Sequence, residues 1–345
     1  MAVCDVCFRH CDIRPGGTGF CGARTCVSEE PDSRRASDPR EDCSKNKQGG
    51  GSGERIVAAN YGRITSLALD PIEKKPLKRF WPGSLILSAG SYGCNLRCPF
   101  CQNSEISWSE EAMGFAGRAD YISPEDLAET AAYYRSEGNI GAAFTYNEPL
   151  VGYEYVRDAA KLIHEKGMKN VLVTNGTAGL DVLREIAPYI DAMNIDLKGF
   201  SDRYYSKVLG GDRQMVMDFI KEAVKVCHVE ITTLIVPHEN DSEEEMEELS
   251  SWIAGLAPAP EYYAGEMCGD ADDDMDEAAE ASAAGVVPAE RKTADSVTGA
   301  DIPLHVTRFF PAFHMRDRDA TDVGLVLRLA ETARRRLKYV YPGNI

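Results

Sequence analysis

Three cysteines stand in one short segment at a spacing that suits an iron-sulfur cluster. The segment reads Cys94-Asn95-Leu96-Arg97-Cys98-Pro99-Phe100-Cys101. Its three thiolates can reach three corners of one cubane, and Pro99 stiffens the turn between the last two. The fourth iron then has no protein ligand, and an open position of this kind separates a catalytic metal centre from a closed structural one. The alternatives are a zinc knuckle that lacks its fourth ligand and a chance group of buried thiols.

A second group of cysteines lies at the start of the chain. Residues 1–26 carry the pattern Cys4-x2-Cys7-x3-Cys11-x9-Cys21. Four thiolates suffice for tetrahedral coordination, so we expect a second metal here, either zinc or a further iron-sulfur cluster, with His10 as a substitute ligand. Four other cysteines have no partner at ligand spacing and are expected to be inert: Cys26, Cys43, Cys227 and Cys268.

Composition limits the classes of partner. The 345 residues carry 38 basic and 55 acidic side chains, a net charge of -17, which argues against broad binding to nucleic acid or to anionic membranes. No stretch is long and apolar enough for a membrane span, and the start of the chain lacks the apolar core of a secretion signal. We therefore expect a cytoplasmic protein whose cysteines are thiols or metal ligands rather than disulfides.

The pattern of the chain predicts an α/β fold. Six runs rich in apolar and β-branched residues are predicted strands: 85–89, 142–146, 170–174, 192–197, 228–236 and 304–309. Amphipathic segments are predicted helices: 124–137, 150–166, 179–188, 213–226, 243–255 and 321–336. Six strand-helix units favour a parallel sheet in an open, partial βα barrel of about six units, since a closed barrel has eight. Ligands bind such sheets at the carboxyl ends of the strands.

Two segments interrupt this pattern. Residues 27–54 are nearly all polar and are interpreted as a flexible linker between the head, 1–26, and a core domain, 55–345. Residues 261–300 carry eleven acidic side chains against two basic ones, with little apolar surface to offset the entropy of ordering, and are interpreted as a disordered acidic insert within the core.

The C-x3-C-x2-C spacing resembles the signature of the radical S-adenosylmethionine (SAM) superfamily. The resemblance implies a [4Fe-4S] cluster on Cys94, Cys98 and Cys101, with SAM on the open iron. It also implies that Phe100 lies beside the adenine. Glu148, at the end of the second strand, matches the acid of a Gly-Gly-Glu-type turn that binds the SAM amino group, although Tyr146 and Asn147 replace the glycines.

Two further motifs are similar to those of the pyruvate formate-lyase activating enzyme group. They are Thr174-Asn175-Gly176 and Asp196-Leu197-Lys198, each at the end of a strand. The resemblance implies that Asn175 and Asp196 help to hold SAM and that Lys198 faces the substrate. A turn residue and a structural ion pair are the alternatives for Asn175 and for the Asp196-Lys198 pair. On the last strand, His305 and Arg308 are candidates for substrate contact.

The head, the Thr145-Tyr146-Asn147-Glu148-Pro149 motif and the Tyr339-Val340-Tyr341-x-Gly343-Asn344 motif together resemble the radical SAM enzyme of the AmmeMemoRadiSam system. This resemblance implies reductive cleavage of SAM to a 5′-deoxyadenosyl radical that activates or modifies a protein, with a reducing electron donor and with AMMECR1-like or Memo-like partners. A radical SAM enzyme that modifies a small molecule is the first alternative. The second is a non-catalytic zinc-binding scaffold.

Overall fold

A computed structural model of the chain describes residues 1–28, 53–116, 119–263 and 297–345. The strands are β1 (Ala2–Val3), β2 (Asp12–Ile13), β3 (Arg24–Ser28), β4 (Glu54–Ala58), β5 (Arg63–Ile64), β6 (Ser66–Pro71), β7 (Leu85–Gly90), β8 (Asp120–Tyr121), β9 (Asn139–Thr145), β10 (Lys169–Thr174), β11 (Ala192–Asp196), β12 (His228–Ile235), β13 (Leu304–Arg308) and β14 (Val340–Gly343). The helices are α1 (Ser104–Ser107), α2 (Glu110–Phe115), α3 (Pro124–Tyr133), α4 (Tyr153–Glu165), α5 (Leu180–Ile186), α6 (Arg213–Ala223), α7 (Glu243–Ala254) and α8 (Val323–Arg334).

One large sheet organises the chain, in the order β14-β13-β12-β11-β10-β9-β7-β6. All neighbours in it run parallel except the edge pair β6 and β7, which is antiparallel. The α/β class and the mostly parallel sheet are confirmed, and the six predicted strands correspond to β7 and β9 to β13. The sheet is wider than predicted because β6 and β14 extend its two edges. Within the described ranges these edges do not pair with each other, so the sheet stays open.

The helices cover the outer face of this sheet. Buried apolar side chains of α3, α4, α6 and α7 join those of the strands in one large core cluster. Serine side chains cap two of these helices: the Ser123 hydroxyl accepts from the Asp126 amide at 3.0 Å, and the Ser242 hydroxyl accepts from the Glu245 amide at 3.1 Å. None of the helices in the described ranges is long and apolar enough to cross a membrane.

A short segment between β6 and β7 packs against the inner face of the sheet. Ile72, Leu77 and Phe80 are fully buried there against a small cluster that includes Ile86 and Val171. The segment is thereby fixed on this face of the sheet.

His305 is anchored in the same region. The fully buried Glu230 accepts hydrogen bonds from the Lys78 and Arg79 amides at 3.0 and 2.8 Å, and from His305 Nε2 at 2.6 Å. His228 Nε2 lies 3.1 Å from the same carboxylate. These contacts give His305 a core role. The other candidate on this strand, Arg308, is partly exposed.

The small strands belong mainly to the head. β1 pairs with β2, and β3 pairs antiparallel with β4 from Arg24 opposite Ala58 to Ser28 opposite Glu54. Both ends of the predicted linker, 27–54, are therefore strand residues, while 29–52 lie outside the described residues. Most of the predicted acidic insert, 264–296, also lies outside them, and its end residues 297–300 lead into β13.

Candidate active site

The loop after β7 carries the three cysteines at the carboxyl edge of the sheet. Cys98 is buried, whereas Cys94 and Cys101 are partly exposed. The guanidinium of Arg97 donates at 2.7 Å to the carbonyls of Cys94 and Leu96, and the Cys101 amide donates to the Cys98 carbonyl at 3.2 Å. These bonds fold the loop back on itself, so that all three thiols belong to one turn.

The three thiols are close enough to interact electrostatically. Burial raises the pKa of Cys94 well above its usual range, with Glu148, Cys98 and Cys101 adding to the shift. Burial also raises the pKa of Cys98 to about 12, an effect that Lys198 opposes. Bare thiolates are thus costly in this pocket, because negative groups crowd a region from which water is largely excluded.

Asn175 and Glu148 tie the ends of β9 and β10 to this loop. Asn175 Nδ2 lies 3.8 Å from Cys94 Sγ and donates to Asn95 Oδ1 at 3.0 Å. The buried Glu148 carboxylate accepts from Thr174 Oγ1 at 2.6 Å and from the Asn175 amide at 2.7 Å. Burial raises the pKa of Glu148 to about 7 despite these donors. Both residues thus reach the cysteine loop, and Glu148 also has a structural role that sequence reasoning did not foresee.

Asp196 and Lys198 form an ion pair at the end of β11. Lys198 Nζ lies 2.9 Å from Asp196 Oδ2, and the lysine side chain is the more buried of the two. Burial opposes the charge of Lys198, yet Asp196 and the nearby Cys98 hold its pKa above the usual value. The pair therefore stands beside the cysteine loop, on the side of Cys98.

Phe100, in the cysteine loop, packs against the residue that follows β13. It is 4% exposed, and its ring meets Phe309, which follows β13, edge to face at a centroid distance of 6.3 Å. Packing therefore accounts for Phe100, and the same position sets it next to the third cysteine. His238 lies on the surface of the loop after β12.

The head cysteines also come together. Cys4, Cys7, Cys11 and Cys21 line one small cavity in the head. His10 is not among its lining residues and instead lies 3.5 Å from Asp5 on the surface, which argues against its predicted role as a substitute ligand. Cys26 and Cys227 are fully buried, and Cys43 and Cys268 lie outside the described residues.

The donor set fits an iron-sulfur cubane. Three cysteines in one turn can each bind a different iron, which leaves the fourth iron without a ligand from this loop. Cys94, Cys98 and Cys101 would hold such a cluster. Among the described residues, no three His, Cys, Asp or Glu side chains are placed to hold one metal ion.

Sequence reasoning missed the part that Asn147 plays. Its Nδ2 donates to the carbonyls of Tyr92 and Gly93 at 3.2 and 3.1 Å, and its Oδ1 accepts from the Ser91 amide at 3.1 Å. The preceding Tyr146 has φ of 72°, a backbone that favours glycine. Tyr146 thus adopts a backbone conformation typical of glycine. The side chain of Asn147 holds residues 91–93, which lead into Cys94. The only sequence signal was the Tyr146-Asn147 replacement of two glycines.

Replacing Asn147 with aspartate should destabilise this loop. The new carboxylate still accepts from Ser91 but faces the two carbonyls without a proton to donate, so we expect a loss of about 1–3 kcal/mol in the free energy of unfolding. Chemical denaturation of the apoprotein measures it. The exposed Asn344→Asp serves as the control, and equal stability of the two variants would contradict the role given to Asn147.

Comparison with known proteins places the chain in a class. The family model of the radical SAM superfamily matches residues 89–253. An uncharacterised protein of Methanocaldococcus jannaschii is 31% identical over 345 residues, covering 99% of this chain and 81% of the relative. The pyruvate formate-lyase-activating enzyme of Clostridium pasteurianum is 28% identical over 48% of this chain and 67% of its own length. A GTP 3′,8-cyclase of Lactiplantibacillus plantarum is 26% identical over 44% of this chain and 45% of its own length.

The chain belongs to the radical SAM superfamily. Membership indicates an enzyme and implies a [4Fe-4S] cluster and SAM. The matched region begins in β7 and extends into α7, so it contains the cysteine loop, Glu148, Asn175, Asp196 and Lys198 but not the head.

Proposed function

We propose that this cytoplasmic enzyme generates a 5′-deoxyadenosyl radical to activate or modify a protein, in the manner of the glycyl-radical-enzyme activases. The observation that carries the proposal is the convergence of the three cysteines with Asn175, Glu148 and the Asp196-Lys198 pair at one edge of the sheet. When bound, the cluster and SAM supply the one-electron chemistry that yields the radical.

In this proposal the residues of the chain bind and orient the cluster, SAM and the substrate. Asn175, whose amide lies near Cys94 Sγ, directs an N–H group toward a cluster ligand. Glu148 would offer its buried carboxylate to the amino group of SAM, and Phe100 would pack beside the adenine and exclude water. Asp196 keeps Lys198 charged and in place on the substrate side.

The relatives support a protein substrate. The matched part of the chain is similar to a pyruvate formate-lyase-activating enzyme, whose name describes action on another enzyme. We propose an AMMECR1-like or Memo-like protein as the partner, on the resemblance of the head and the Tyr146-Asn147-Glu148 turn to the AmmeMemoRadiSam enzyme. A small-molecule substrate is the second candidate, because a GTP 3′,8-cyclase matches nearly the same share of the chain.

The test begins with anaerobic reconstitution, followed by an assay for 5′-deoxyadenosine with SAM and dithionite. The candidate partner is then added after expression with deuterated glycine. Deuterium in the 5′-deoxyadenosine, together with a protein-borne radical in the electron paramagnetic resonance (EPR) spectrum, is the expected result. Turnover with no deuterium transfer and no protein radical favours a small molecule. A zinc scaffold would give stoichiometric zinc, no brown colour and no 5′-deoxyadenosine.

A further inference from the structure

The four head cysteines lie around one small cavity. Cys4 follows β1 and Cys11 precedes β2, and the Cys4 amide donates to the Cys11 carbonyl at 2.9 Å, which holds the two together. Cys7 lies in the turn between them, and Cys21 enters from the loop before β3. All four line the same cavity.

Four thiolates around one cavity can hold either one zinc ion or an iron-sulfur cubane, in which each cysteine binds a different iron. The head also contacts the loop that carries Cys94, because the Cys94 amide donates to the Cys21 carbonyl. Zinc has no redox chemistry, whereas a cubane can carry an electron, so this position next to the catalytic loop favours a cubane.

The surroundings of the cavity suit a negatively charged cluster. The Ala23 amide points to Cys21 Sγ at 3.4 Å and the Phe20 amide to Cys11 Sγ at 3.5 Å, and such hydrogen bonds to sulfur tune an iron-sulfur centre. Arg9 and Arg24 are both among the lining residues, so two cations adjoin the four thiolates.

The head lies directly against the catalytic loop. The Cys94 amide donates to the Cys21 carbonyl at 3.1 Å, which joins a cysteine of each set through a single hydrogen bond. A Cβ added at Gly93 would lie 2.6 Å from the Cβ of Ala23, so the two backbones are in close contact. The Arg9 guanidinium donates to the Asn95 carbonyl at 2.8 Å and interacts electrostatically with thiols of both sets.

We propose that the head binds a second [4Fe-4S] cluster, held by Cys4, Cys7, Cys11 and Cys21, which relays electrons to the catalytic cluster. A low-potential protein donor gives one electron to the oxidised head cluster. That electron passes to the catalytic cluster, so the head cluster returns to its oxidised state. The catalytic cluster then uses the electron to cleave SAM. With four protein ligands the head cluster has no open iron and cannot bind SAM, so it transfers electrons only. The relay rests on the proposed SAM chemistry, but the head site does not.

The site is tested without the catalytic cluster. The triple variant Cys94→Ala, Cys98→Ala, Cys101→Ala should retain about four iron and four sulfide per chain. After reduction its EPR signal should not change on addition of SAM. The matched variant Cys7→Ala, Cys21→Ala should lose this iron and keep that of the catalytic cluster. One zinc per chain in the triple variant, or no metal, would overturn the proposal whatever the catalytic site does.

The relay is tested with two reductants. Formation of 5′-deoxyadenosine is compared when driven by a photoreduced plant-type ferredoxin, a protein donor, and by dithionite, which is small enough to reach the catalytic cluster directly. In Cys7→Ala, Cys21→Ala the ratio of the ferredoxin-driven to the dithionite-driven rate should fall about tenfold or more. An unchanged ratio would refute the relay. Absence of 5′-deoxyadenosine from the wild-type protein with both reductants would instead refute the proposed function.

Discussion

Replacing Cys98 with alanine is expected to abolish the formation of 5′-deoxyadenosine from SAM. Cys98 is the most buried cysteine of the catalytic loop, and only three protein thiolates are offered to the cluster. A cubane with two remaining ligands is not held, so both the iron of this site and SAM cleavage should be lost. Iron analysis after anaerobic reconstitution and a chromatographic assay for 5′-deoxyadenosine measure the two effects.

Cys227→Ala is the matched control. Cys227 is fully buried, whereas Cys98 is 8% exposed, and Cys227 lies just before β12, outside both cysteine groups. It should keep the iron and the activity of the wild-type protein. Activity of Cys98→Ala at the wild-type level would remove the basis for the whole assignment, because no other thiol of that loop can replace it.

Replacing Arg24 with methionine is expected to lower the free energy of unfolding by about 3–5 kcal/mol. Arg24, in the head, donates to both oxygens of Glu154 in α4 at 2.7 Å, and the side chains are 6% and 8% exposed. The substitution keeps much of the apolar volume but leaves the glutamate charge buried and unpaired. Denaturant unfolding of the apoprotein at neutral pH measures the loss.

Two further variants separate the buried charge from a general effect of removing arginine. Arg184→Met removes an arginine from an exposed pair with Asp181, whose side chains are 70% and 95% exposed, and should change stability by no more than about 1 kcal/mol. Adding Glu154→Gln to Arg24→Met should recover part of the loss, since the unpaired charge is removed. If Arg24→Met is as stable as Arg184→Met, the ion pair does not fasten the head to the core.

The edge strands show where pattern reasoning fails. β14 contains Pro342 and Gly343, which normally argue against a strand, and is accommodated at an edge because proline there need not donate to a neighbour. β6 lacks β-branched residues, so its composition does not indicate a strand. Its pairing with β7, from Ser66 opposite Gly90 to Pro71 opposite Leu85, provides the stabilisation that its own sequence does not.

The candidate active site likewise has one part that the sequence predicts and one part that depends on the fold. The spacing of Cys94, Cys98 and Cys101 is local, so the sequence by itself predicts a cluster on this loop. The contacts of Asn147 with the loop before Cys94 have no local signal, because residues 91–93 and 147 meet only when β7 and β9 pair.

By itself, the sequence predicted a cluster on the cysteine loop, and it determined the α/β class and the order of the central strands and helices, because these depend on short-range spacing and periodicity. Only the tertiary structure decided which distant residues share a site. Strand order brings Glu148 to Asn175 and the Asp196-Lys198 pair to Cys98, and packing of the head brings Cys21 to Cys94. Contacts between residues far apart in the chain form because both faces of one sheet are buried at once. No single segment of the sequence encodes that arrangement.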